Sequence, residues 1–412
     1  MVHFPSQKRP LKDDPFQYLR RCLEPWGQKP SLLPLCLLIL LIKIFFFTAR
    51  TVFILKWMKE IDVLEISVTW PVPLLVVIKM CYTLYQRDKI GFLFRSVTEK
   101  FWDLGVGGPG LEKELEKRFK LINRFLFGHV SLGVFYVGLY AFFADVPIPK
   151  GRTRWLPVLA SMPFDQDQSP QYEILYVLMY WNLVVSILGH GVFDMVFIYS
   201  SQHLVGQFIL LKALLRKLDY GFEGLEIVAK ARSRQFQKEI RKRIAICVQH
   251  HNLLLAYGNE LKKIASMIFG VHVLSTSLTL ILVGYILSKN LEKILQYSML
   301  LSGVVSEALQ FIIFAVQSGE IYHKSVSVAQ AAYQSNWYVF NAKAKRDLTL
   351  LILNSQKGIS MYGAGLVTIN NEILVSVKIK KIFGFNTINF DFQMIQKIFS
   401  SITLLRSLGE QK

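Results

Sequence analysis

Apolar residues in this chain are gathered into long runs rather than spread at alternating or half-buried positions. Six of the runs cover residues 32–55, 66–85, 122–144, 172–199, 264–287 and 297–317, and a seventh, lighter in aliphatic residues, reaches residue 408. Most approach the roughly 20 residues a helix needs to cross about 30 Å of hydrocarbon, where the backbone must satisfy its own hydrogen bonds. The pattern predicts an all-α protein with seven transmembrane helices.

Between the fourth and fifth runs the pattern changes without stopping. Leu204, Phe208, Leu211, Leu214, Leu215 and Leu218 recur at spacings of three and four, as do Ile240, Ile244, Cys247, Leu254 and Leu261 later on. This is the signature of amphipathic helices that continue beyond the membrane. A second extension follows the sixth run, where Ala331, Ala332 and Ser335 permit close packing. Two such extensions predict a cytoplasmic helical anchor bundle that packs subunits together, with residues 221–233 as a solvated linker. The expected organisation is an N-terminal cytoplasmic segment (1–31), helices 1–4 (32–199), anchor extensions (200–263), helices 5–6 (264–318), a second anchor segment (319–357) and a final helix (358–408).

Composition agrees: 52% of the 412 residues are hydrophobic and 13% aromatic. A formal charge of +19 would also suit nucleic acid, but the basic residues concentrate before residue 31 and between 212 and 263. The segments 56–65 and 145–167 are acidic or neutral. That asymmetry places the N-terminus in the cytoplasm and the C-terminus outside, the inverse of a G-protein-coupled receptor, and removes nucleic acid as a partner. Cys22, Cys36, Cys81 and Cys247 have no metal or disulfide spacing. Residues 1–30 do not have the form of a cleaved signal peptide, so the first span is expected to be its own anchor.

No phosphate-binding loop, nucleophile elbow or paired-carboxylate pattern occurs, so no enzyme and no cofactor are expected. His190 and Asp194, at i and i+4, could form a proton-sensitive pair or simply satisfy one another inside the bundle. Glu307 reads as structural or coupling-related. His250 and His251, being adjacent, point to different faces and make a poor metal site. The last run carries Ser400, Ser401, Thr403 and Ser407 among Ile398, Ile402, Leu404, Leu405 and Leu408. Small hydroxyls among leucines suit the wall of a water-filled pathway closed by an apolar ring.

Several stretches carry a resemblance. SQKGISMYGAGLVTINNEIL with a terminal SSITLLRSL is similar to the seventh segment of insect odorant receptors. ICVQHHNLLLAYGNELKKI resembles the start of their fifth segment, VAQAAYQSNWY their motif after the sixth, and RWLPVLASMPFD their second extracellular loop. The resemblance implies a tetramer around a central pore lined by the seventh segment, in the plasma membrane of olfactory sensory neurons. It implies an odorant-gated, non-selective cation channel whose partners are an odorant coreceptor subunit, membrane lipid and a small hydrophobic volatile ligand. The modest loop between the fourth and fifth segments is similar to that of a ligand-binding subunit and not of the coreceptor. The family's hydrophobic gate falls on Leu404 and Leu408, with Ser407 beside them; Ser401 extends the same face, which also carries Lys397. A gustatory-type ligand-gated channel of the same superfamily is the alternative.

The ligand pocket is expected in the outer half of the bundle, with apolar and aromatic walls that bury a volatile molecule. Its candidate residues are Phe135, Gly138, Tyr140 and Phe142 on the third span, Met179, Tyr180, Leu183 and Ile187 on the fourth, and Tyr285 on the fifth. Interhelical packing is an equally good reading of each. One stretch breaks the family pattern: residues 376–392 (SVKIKKIFGFNTINFDF) are rich in Lys, Ile, Phe and Asn, as AT-rich non-coding DNA becomes when translated. Joining Val375 to Gln393 restores the family's spacing. The stretch is read as a retained short intron or a gene-model error, with a genuine loop between two half-helices as the alternative.

Overall fold

The computed structural model describes residues 16, 20–21, 30–57, 70–143, 154, 156–158, 160–289, 298–363 and 367–369. Helices dominate. After a 3-10 turn at Pro30–Leu32 come α1 (Leu33–Trp57), α2 (Pro71–Tyr85), α3 (Arg87–Glu99), α4 (Pro109–Phe143), α5 (Gln171–Arg216), α6 (Ile227–Arg232), α7 (Arg234–Lys289), α8 (Ser298–Tyr333) and α9 (Ala342–Ser355). Among the described residues, α1 and α5 are long and apolar enough to cross a membrane, with mean hydropathy of 2.3 and 1.7 over their most apolar windows.

The order of residues along each long helix decides what it faces. Near its start α5 exposes Ile174, Val177, Leu178, Trp181 and Leu188, whereas between Tyr199 and Leu211 nearly every residue is buried. On α7 the buried stripe Phe236, Ile240, Ile244, Cys247, Leu254, Tyr257, Leu261 runs beneath exposed charges. Beyond Lys263 its exposed residues become Met267, Leu274 and Leu278. An apolar outer face this extensive suits lipid, and a charged one suits water. One continuous helix therefore serves two solvents.

At the centre is α5, packed against α8, α7, α2 and α4, with α9 closing on α8 and α7. The main core runs from Cys36 and Val76 in one half to Phe236, Leu348 and Ile359 in the other. A smaller cluster (Phe46, Ala49, Leu156, Ala160, Leu175, Met179) ties α1 and the start of α5 to the segment carrying Leu156 and Ala160. There the Ser161 amide donates to the Ala49 carbonyl at 3.0 Å.

Three elements differ from the pattern read in the sequence. Within the second apolar run the described helix starts at Pro71, where proline suits a helix start, and the chain then continues into the amphipathic α3, which buries Ile90, Leu93, Phe94 and Val97. The expected linker contains the short helix α6, anchored because Lys230 reaches Asp219 at 3.0 Å. The expected final helix begins instead as a hairpin: β1 (Met361–Gly363) pairs antiparallel with β2 (Val367–Ile369), Tyr362 opposite Thr368. Gly358, at φ +58, turns the chain into it with a backbone few other residues adopt, and alternating burial along β1 is a strand's period of two.

Candidate functional site

Polar residues of α5 form a seam along the axis of the bundle. Asn182, Ser186, His190 and Asp194 follow at steps of four, which stacks them on one helical face, and Gln202 and Gln207 extend polar contacts toward the far end. Each rung engages a different neighbouring helix.

At the first rung Lys43 of α1, 5% exposed, donates from Nζ to the Asn182 carbonyl and to Ser186 Oγ. Both acceptors are neutral. A cavity of about 40 Å³ opens beside them, lined also by Phe46, Phe47, Arg50, Val76 and Leu183. Among the described residues Asn182 Oδ1, buried there, has no hydrogen-bond partner. That space suits a few waters and is too small for a volatile ligand.

At the second rung the chemistry is ionic. Lys79 of α2 is fully buried, its Nζ lying 3.0 Å from Asp194 Oδ1 and 3.2 Å from Oδ2. The same ammonium donates to Gln310 Oε1 of α8 at 3.4 Å and to the His190 carbonyl at 3.5 Å, and it sits 5.8 Å from the Phe314 ring centre. Three helices are thus pinned by one charge pair. A buried pair survives where the remaining protons find acceptors, and here they do.

The third rung joins α4, α5 and α8. Arg118 donates to Gln202 Oε1 at 3.1 and 3.0 Å from its two nitrogens and pairs with Glu320, while Gln202 donates to Gln317. Below it Gln207 accepts from the Trp102 amide at 3.0 Å, donates to the Trp102 carbonyl at 2.8 Å and meets His250 Nε2 at 2.9 Å. The His250 ring stacks on Trp102 with centres 3.6 Å apart. Burial, helped by the neighbouring His251, pushes the His250 imidazole down to about 3, and burial brings His251 to about 4. Both are neutral at physiological pH.

The seam ends against the segment that leads toward the C-terminus. His251 Nε2 lies 3.2 Å from Ser355 Oγ on α9, and the Ile359 amide donates to Ser325 Oγ of α8 at 2.9 Å. Gly258 of α7 lets Ile359 approach: a Cβ there would stand 2.4 Å from Ile359 Cδ1.

The residues named from sequence fare unequally. Met179 is buried in the small cluster, Leu183 lines the cavity, Tyr180 and Ile187 are half-buried, and Phe135 is exposed. Gly138, Tyr140 and Phe142 lie on α4 and Tyr285 on α7, their side chains outside the described set, as is that of Glu307. Leu404, Leu408, Ser407, Ser401 and the stretch 376–392 lie outside the described residues. Asp194 is in the seam, but its lysine partner was missed. Lys79 is a lone cation inside an apolar run and Lys43 shares its run only with Arg50, a signal that marks a functional or structural position in a membrane. His250 and His251 turn to different partners, as adjacent residues must, and no metal-binding cluster occurs among the described residues.

Comparison with known proteins follows the same architecture. The structure of the insect olfactory receptor OR5 from Machilis hrabei aligns over 98% of this chain and 93% of its own, with a TM-score of 0.64 at 14% identity. Its complex with eugenol aligns over 96% and 100%, also at 0.64, with 12% identity. This likeness establishes the seven-transmembrane helical fold. Odorant receptor 82a of Drosophila melanogaster is 28% identical over 237 residues, 55% of this chain and 57% of that one. The odorant receptor coreceptor of Aedes aegypti is 23% identical over 186 residues, 45% of this chain and 38% of its own. The chain spans about half the length of the curated relatives it matches. A family model described as 7tm Odorant receptor matches residues 62–378, a family of membrane receptors and not of enzymes. The chain belongs to the 7tm odorant receptor family.

Proposed function

We propose that the chain is the ligand-binding subunit of an odorant-gated, non-selective cation channel that assembles with a coreceptor subunit in the plasma membrane of olfactory neurons. Its N-terminus lies in the cytoplasm, residues 200–263 and 319–357 form the anchor, and the segment ending at residue 408 lines the pore. A volatile hydrophobic ligand bound in the outer half of the bundle shifts the α5 seam. The shift passes to α9 and the β1 hairpin, and the ring at Leu404 and Leu408 widens. Apolar rings of this kind gate by dewetting.

The observation that carries this reading is the fold likeness over 98% of the chain to an olfactory receptor one of whose structures holds eugenol. The physical continuity supports it: α5, α7 and α8 each run unbroken from an apolar-faced half into the half that holds α9. Similarity to coreceptors supports a partner built on the same plan.

The test is current recorded from cells expressing this chain with and without a coreceptor, against a panel of volatiles. Current that requires both subunits is expected, and replacing Leu404 and Leu408 by serine should raise the ligand-independent leak. Current from this chain alone, evoked by sugars or bitter compounds, would move the assignment to a gustatory-type channel.

A further inference from the structure

Five cations converge on one groove in the half of the molecule that faces water. Arg232 ends α6, and Arg234, Lys238, Arg241 and Lys242 form a stripe along the first turns of α7. All five are exposed, and the groove between them has a volume of about 670 Å³. None of them has an ion-pair partner among the described residues. Two carboxylates of the same segment are taken up by other cations: Glu239 by Arg243 at 3.0 Å and Asp219 by Lys230 at 3.0 Å.

One wall of the open groove is held in place by hydrogen bonds. Gln237 forms its wall, donating to the Val339 carbonyl at 2.8 Å and accepting from the Asn341 amide at 2.8 Å, which fixes the start of α9 beside the start of α7. Asn341 then caps α9 by accepting from the Ala344 amide at 2.9 Å. Two helix N-termini, each a partial positive charge, therefore open beside five full ones.

The topological charge bias explains why this side of the membrane is basic, not why five of its cations line one groove: the bias acts most strongly within about 15–20 residues of a span, and these five lie farther than that from the apolar runs ending at 199 and starting at 264. A lipid headgroup at the level of Lys263, beyond which the exposed residues of α7 are apolar, would lie far from the groove. From Lys242 to Lys263 the helix rises about 30 Å at 1.5 Å per residue, several times the Debye length of about 8 Å at physiological ionic strength.

We propose that this groove binds a soluble polyphosphate. Guanidinium forks match phosphate oxygens in pairs, the lysines add point charge, and the volume lies in the range of small-molecule sites. Occupancy would bridge α6, α7 and the start of α9, the helix that leads into the β1 hairpin.

The test uses the purified full-length chain in phosphatidylcholine nanodiscs, titrated calorimetrically with inorganic tripolyphosphate at physiological salt. Saturable binding is expected. Affinity should fall at least about tenfold in the Arg234→Gln/Arg241→Gln variant and again in Lys238→Gln/Lys242→Gln, the scale of two lost charge-assisted contacts. The Lys113→Gln/Lys117→Gln variant, which removes the same charge from the exposed face of α4, should stay within about twofold. Placing phosphatidylinositol bisphosphate in the nanodisc should not compete. Absence of saturable binding, an equal loss in the α4 variant, or displacement by the lipid would each overturn the proposal. Because binding is read directly, the result does not depend on whether the chain gates a current.

Discussion

Lys79 on α2 and Asp194 on α5 face each other at 3.0 Å with Lys79 wholly excluded from solvent. Removing one member of such a pair strands the other, at a cost of about 3–5 kcal/mol, whereas replacing both by apolar residues is often neutral. Lys79→Met and Asp194→Asn are each expected to lower the thermal stability and surface expression of the protein sharply, and Lys79→Met/Asp194→Leu to recover most of it. A double variant no better than the singles would show that the pair is held by its wider network with Gln310 and not by mutual attraction.

Lys43 is expected to behave with the opposite sign. It too is buried, but its acceptors are a backbone carbonyl and a hydroxyl, and Ser186 already donates to the Asn182 carbonyl at 2.8 Å. No charge is left behind when it goes, so Lys43→Met should stabilise the fold, by up to the roughly 1–4 kcal/mol seen when buried ion pairs are replaced by apolar groups. The comparison is made by thermal unfolding of the two lysine variants side by side. Loss of stability equal to that of Lys79→Met would assign Lys43 an anionic partner.

His250 gives the molecule a pH dependence. Its folded pKa of about 3 lies below the ordinary value of 6.5, so the unfolded chain takes up the proton first as pH falls. Stability is therefore complete above about pH 6.5 and is lost on acidification toward pH 3, at up to about 1.4 kcal/mol per pH unit for each such group. His251 adds to it in the same window, its folded value being about 4. Unfolding temperature measured between pH 7.5 and 5 should fall in the native protein and fall less steeply in His250→Gln. Parallel slopes would trace the acid sensitivity to other groups.

Much of this was legible beforehand and some was not, for identifiable reasons. The runs at 32–55 and 172–199 are long and apolar enough to announce α1 and α5 without reference to any partner. The continuation of α5 past the apolar run shows in the spacing of Leu204, Phe208, Leu211 and Leu215, all buried. Lys79 stands out as a cation in an apolar run, but its partners do not: they are 115 and 231 residues away, a distance that periodicity does not span. The hairpin was hidden because Met361–Ile369 is apolar and glycine-containing, and a short apolar run reads equally as helix or strand. Trp102 stacked on His250 joins a loop to α7 across the bundle, again beyond any window of sequence.

Gly258 tests whether the hairpin is tied to α7. Its missing side chain leaves room for Ile359 Cδ1 and Leu204 Cδ2. Because the nearest atom is the tip of a flexible side chain, Gly258→Ala should be tolerated, while Gly258→Leu should cost about 1–3 kcal/mol by overpacking. Ile359→Ala added to Gly258→Leu should restore part of the loss, measured by thermal unfolding. Additive costs would mean that the two positions are not in contact.

α5 spans 46 residues without a break. At 1.5 Å per residue that is a rod of about 70 Å, so a tilt of only about 3° about its midpoint carries each tip by about 2 Å. A small displacement at one end of so stiff a lever is handed on, undiminished, to the other.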